Sequence, residues 1–119
     1  MKHHLYTFVG SATALHHYIT QSTASDQAAA LAACNQLTGV STSLLDAAGT
    51  DTSEETFKEL FSTHAVTVLE AVETLRQTSV YQTLNETITA LLEYFYNAAD
   101  ALFGGGGDPP WPSLTSLFR

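Results

Sequence analysis

TSEETFKELFSTHAVTVLEAVETLRQTSVYQTLNETITALLEYFYNAADALF, residues 52–103, is the stretch on which the architecture of this 119-residue chain turns. Its opening, Thr52-Ser53-Glu54-Glu55, sets a hydroxyl residue at an N-cap and two carboxylates in the first turn, where they meet the positive pole of a helix dipole. Phe57, Leu60, Phe61, Ala65, Val68, Leu69, Val72 and Leu75 then recur at helical spacing, and Arg76 suits the negative pole at the far end. A second seam follows in Tyr81, Leu84, Ile88, Leu91, Phe95, Ala98 and Leu102, in steps of three and four.

Phase separates the two seams. A straight continuation from Leu75 returns an apolar residue near position 82, which is Gln, whereas the new stripe begins at Tyr81. Ser79-Val80-Tyr81-Gln82 has the form of a second capping box. The pattern predicts a tight turn at Gln77–Ser79 and an antiparallel helical hairpin, with one unbroken long helix as the alternative.

Upstream, residues 3–20 carry no charge and are rich in aromatic and β-branched types. Two such runs around Gly10-Ser11 predict a β-hairpin with a type II′ turn, burying Tyr6, Phe8, Leu15 and Ile19 on one face. A helix over Ala12–Thr20 is the alternative. Ser25 as N-cap opens an Ala-rich helix from about Asp26 to Leu37, closed by Gly39, with a small face of Ala29, Leu31, Ala32, Ala33 and Cys34. Val40–Ala47 alternates weakly, as a third strand or an extended connection would. The expected fold is therefore α+β and predominantly helical, an N-terminal hairpin and short helix packed on the long helical hairpin, with an all-α bundle as the runner-up.

Residues 1–103 read as one domain and residues 104–119 as a tethered tail. Gly104–Gly107 stops the helix and gives a joint; Asp108-Pro109-Pro110-Trp111-Pro112 stiffens the chain; Trp111, Leu114, Leu117 and Phe118 then supply large apolar anchors. That is the composition of a docking peptide, for a neighbour or for the chain's own core.

Composition excludes several classes of function. A net charge of -8 with only four Lys and Arg, scattered along the chain, does not fit nucleic acid or an anionic membrane surface. No apolar run reaches the length of a membrane span. The N-terminus resembles a signal peptide in Lys2 and in Ala12-Thr13-Ala14, but the apolar stretch Leu5–Val9 is too short, so residence in the cytoplasm or within a virion is expected rather than export. Asn85-Glu86-Thr87 has the form of a glycosylation sequon and is expected to be unused.

Chemistry finds little support. The pairs His3-His4 and His16-His17, set across a hairpin, bring two imidazoles together with no third ligand, so no metal or other cofactor is expected. Glu54, Glu55, Glu59, Glu70, Glu73, Glu86 and Glu93 are spread along helix faces without a histidine at a recognised motif spacing. Cys34 in an Ala-rich helix is poorly placed to hold a thiolate, and Gly104–Gly107 lacks the features of a phosphate loop.

With charged residues at only 13%, Thr, Ser, Gln and Ala must cover much of the surface, which lowers the barrier to contact with other chains. The expectation is a non-enzymatic assembly protein, a homo-oligomer or a subunit of something larger, built through its long helices and its tail. Small components of viral or phage particles and accessory subunits of cellular assemblies share this style. The alternative is a small acidic inhibitor that meets one target protein through a helix face bearing Glu70 and Glu73.

Overall fold

A computed structural model describes residues 2–103 as four helices joined by short loops: α1 (Lys2–Thr20), α2 (Gln27–Ala48), α3 (Glu54–Arg76) and α4 (Val80–Phe103). Each helix packs on the next, and α1 also packs on α4, so the four close into an up-and-down bundle. The antiparallel sense is visible in the partners: Cys34 meets Ala12, Phe8 meets Phe95, and Phe61 near the start of α3 meets Phe95 and Phe103 near the end of α4.

The fold is all-α, and the expected α+β start is wrong; no strand occurs among the described residues. Residues 3–20 form no hairpin because their apolar residues satisfy a helical seam better than a pleat. Leu5, Phe8, Ala12, Leu15 and Ile19, in steps of three, four, three and four, are all fully buried. Tyr6, assigned to the buried face of a hairpin, is 61% exposed instead. Val40–Ala47 is likewise helical, and α2 runs on through Gly39 to Ala48, with Gly49 as its C-cap. Leu37, Val40 and Leu44 carry its seam across the glycine and are buried. The small face of α2 is made by Ala30, Ala33 and Cys34, while Ala29 and Ala32 face solvent.

Threonine fits these helices because its hydroxyl has somewhere to go. The side chains of Thr7, Thr13, Thr38, Thr42, Thr63 and Thr74 each donate to the carbonyl four residues earlier, at 2.9–3.1 Å.

The second half of the chain follows its pattern. Ser53 is the N-cap of α3, its Oγ accepting from the Thr56 amide at 3.2 Å. The turn falls at Gln77–Ser79, and Arg76 lies in the last turn of α3. One fully connected core joins all four helices. At its centre Phe61 stacks on Phe95 with centroids 4.7 Å apart and an interplanar angle of 13°, and Phe8 tilts against Phe95 at 5.3 Å.

Gly10 and Gly39 sit inside α1 and α2, and a Cβ built at either meets nothing within 4 Å. Neither position uses the glycine. Gly10→Ala and Gly39→Ala should therefore each raise the unfolding free energy by about 0.5–1 kcal/mol, read from urea midpoints, since each removes backbone freedom from the unfolded chain without cost in the helix.

Candidate interaction surface

The end of the bundle that carries the α1–α2 and α3–α4 loops is tied together by two adjacent residues. Gln27 donates from Nε2 to the carbonyls of Ile19 at 2.8 Å and Thr20 at 3.0 Å, closing the C-terminus of α1. Asp26, although it is the N-cap residue of α2, makes no side-chain cap there. Its carboxylate turns to the third loop instead, accepting from the Ser79 amide and the Ser79 hydroxyl, both at 2.8 Å. An anion thus sits at the N-terminus of α4, where the helix dipole favours it. The Ser79 amide, which the expected capping box would offer to the Gln82 side chain, goes to Asp26 instead. The first turn of α4 is tight, with Tyr81 donating to the Thr78 carbonyl and Gln82 to that of Ser79, and the backbone departs from α geometry at Leu84.

The Ser79 amide and then the Ser79 hydroxyl hold the Asp26 carboxyl below its usual range. A depressed folded-state value contributes stability that is fully present above the unfolded value near 3.8 and is lost as pH falls through the folded one. The stability difference between the native chain and Asp26→Asn, measured by urea unfolding, should hold constant above about pH 5 and shrink toward pH 3. A difference independent of pH would show that the carboxylate charge does not hold the loops.

Two depressions lie along the junction of α1 and α4. One, of about 530 Å³, is at the loop end, between Tyr18, Ala24, Val80 and Leu84. The other, of about 460 Å³, continues down the same face. On α1 it is lined by Thr7, Ser11, Ala14 and Tyr18, and on α4 by Glu86, Ala90 and Tyr94. Tyr18 belongs to both and is 47% exposed, so the two form one track with tyrosines at Tyr94 and Tyr18 and small residues between them. A strand reading of residues 3–20 hides the α1 half of this track, because a pleat, with its period of two, does not set 7, 11, 14 and 18 in one row. The signal was present: 7, 11, 14 and 18 repeat the four-three-four spacing of the core seam, one stripe to its side.

The histidine hairpin has no counterpart. All four residues lie on α1, the two pairs separated by about 20 Å of helix rise. His3 and His4 rings stand 5.4 Å apart, and His17 shares a hydrogen bond of 3.2 Å with Gln21. His64 is half-buried on α3. No group of three or more His, Cys, Asp or Glu residues among those described is arranged to hold a metal. Cys34 is buried, its Sγ donates to the Ala12 carbonyl at 3.7 Å, and burial pushes its thiol up to about 11, so no thiolate forms at neutral pH. Burial also pushes Tyr96 up to about 12.

Of the acidic face considered for target binding, Glu70 is exposed, whereas Glu73 is engaged at 3.5 Å by Arg76 and at 3.2 Å by Gln77. The tail anchors Trp111, Leu114, Leu117 and Phe118 lie outside the described residues. No helix among the described residues is long and apolar enough to cross a membrane. Comparison with known protein families, with curated proteins and with solved structures finds no match.

Proposed function

We propose that this chain is a non-enzymatic assembly protein, which meets other copies or other subunits through its helix faces and docks a neighbour with residues 104–119. The character of the helix surface carries this reading. Where most bundles present Lys and Glu, this one presents threonines whose hydroxyls are spent on their own helix backbone, leaving methyl groups outward. A surface covered in methyl groups and short polar side chains loses little hydration when another chain covers it, and it lacks the long, mobile charged side chains whose ordering opposes association. Tyr6, Tyr18 and Val66 add large apolar groups to that surface, at 61%, 47% and 55% exposure.

Light scattering tests the proposal on the full chain and on a version ending at Phe103. The full chain should assemble with rising concentration, and the shortened one should assemble less. Because the net charge of -8 makes copies repel, assembly through uncharged faces should hold or strengthen in about 1 M salt. Two monomers at every concentration and salt would end the proposal.

A further inference from the structure

We infer that the track between α1 and α4 is the seat of residues 111–118 of the same chain, so that the isolated protein keeps its own docking peptide closed. This rests on the reading of the tail as a docking element and adds where it docks and in what state. Four observations converge on it.

The first is position. Phe103 ends α4 at the same end of the bundle as the start of α1, and the near end of the track, between Thr7 and Tyr94, lies about 13 Å back along α4.

Length agrees with position. Trp111 stands eight residues beyond Phe103 and can lie up to ~26 Å from it, enough to reverse through Gly104–Gly107 and return to Tyr94. From Tyr94 to Leu84 the track runs about 15 Å, between the ~10 Å that residues 111–118 span as a helix and the ~23 Å they span extended.

Side-chain size gives the third. Ser11, Ala14 and Ala90 leave room between Tyr18 and Tyr94, and the tail supplies the large groups Trp111, Leu114, Leu117 and Phe118 to fill it. Tyrosine at each end offers an aromatic face to Trp111 and Phe118.

Charge gives the fourth and also fixes direction. Residues 3–20 hold no acidic side chain, so the carboxylate in the track is Glu86 of α4, toward its far end. Arg119 is the tail's only Lys or Arg and follows the last anchor. A tail laid from Tyr94 toward Tyr18 brings Arg119 toward Glu86. The reverse course brings Asp108 there instead.

Because the same contact can be made by a neighbour's tail, closing and assembling become two uses of one seat, and concentration selects between them. Trp111, the only tryptophan, reports the closed state. The experiment records its emission maximum and acrylamide quenching in the full chain, diluted until light scattering gives a single-chain mass. Ala14→Arg and Ala90→Arg fill the track, and Leu117→Asp weakens the tail without touching the bundle. Helical circular dichroism confirms that each variant folds.

The native chain should show a blue-shifted, protected Trp111, and all three variants should shift it to the red and raise quenching several-fold. A tryptophan exposed in the single chain overturns the inference. So does one that stays protected in both track variants, since the tail then sits elsewhere. Protection that appears only above single-chain mass gives the track to a second copy, overturning the closed state while leaving the assembly reading intact. Failure of the assembly reading shows differently, as a protected Trp111 in a chain that never exceeds one copy.

Discussion

Phe95→Ala should lower the unfolding free energy by about 3–5 kcal/mol, the largest loss expected from any single truncation in the bundle. Phe95 is fully buried where three helices converge: it stacks on Phe61 of α3 at 4.7 Å, tilts against Phe8 of α1 at 5.3 Å, and meets the edge of Tyr96 at 6.3 Å. Removing the ring therefore takes contacts from both neighbouring helices at once. Phe61 and Phe8 are themselves fully buried in a close-packed core, so most of the cavity should persist. Domains of this size have a total stability of only about 5–15 kcal/mol, so the variant should lose a large fraction of it. Urea unfolding followed by circular dichroism gives the number. Phe95→Leu, which retains most of the volume, should lose less than half as much, and a loss below about 1 kcal/mol for Phe95→Ala would mean that the aromatic cluster is not the centre of the core.

The aromatic cluster also shows why the chain was legible in one half and not in the other. In residues 52–103 α3 has a capped start, acidic residues in its first turn and Arg76 in its last, both helices carry an apolar stripe, and the break between stripes is a change of phase that only a turn explains. Phe57, Phe61, Ile88, Leu91 and Phe95 are accordingly buried as their spacing requires. In residues 3–20 those cues are missing. The outer face of α1 is made of Thr, Gly, Tyr and His rather than Lys and Glu, so composition points to a strand while spacing points to a helix. Ala12, a full member of the buried seam, is small and directly follows Gly10-Ser11, which resembles a turn.

Gly39 misled in the same way. A glycine after an apolar stripe commonly stops a helix, but here Val40 and Leu44 continue the steps of three and four, and burial of that seam outweighs the ~1 kcal/mol that glycine costs. The tie made by Asp26 and Gln27 was legible only as local helix-start chemistry. Its real partners, Ser79 and the end of α1, are a matter of tertiary approach that no local pattern encodes.

The course of α1 can be put to a decisive test at Gly10 and Ser11. Ser11→Pro should cost about 3 kcal/mol or more. Ser11 lies midway along α1, where proline removes the amide that bonds to the carbonyl four residues back and drives its ring against that carbonyl. The damage extends beyond one hydrogen bond, because a kink at Ser11 moves Leu5 and Phe8 relative to Leu15 and Ile19, all of which are fully buried. A hairpin turning at Gly10-Ser11 predicts the opposite signs for the two neighbouring substitutions. In its type II′ turn Gly10 would need a positive φ that alanine resists, while Ser11 would hold a φ that proline accepts. The bundle requires Gly10→Ala to stabilise and Ser11→Pro to destabilise strongly; a hairpin requires Gly10→Ala to destabilise and Ser11→Pro to be tolerated. Urea midpoints of the two variants, measured side by side, distinguish a helix from a turn by sign alone, with no dependence on the exact magnitude of either effect.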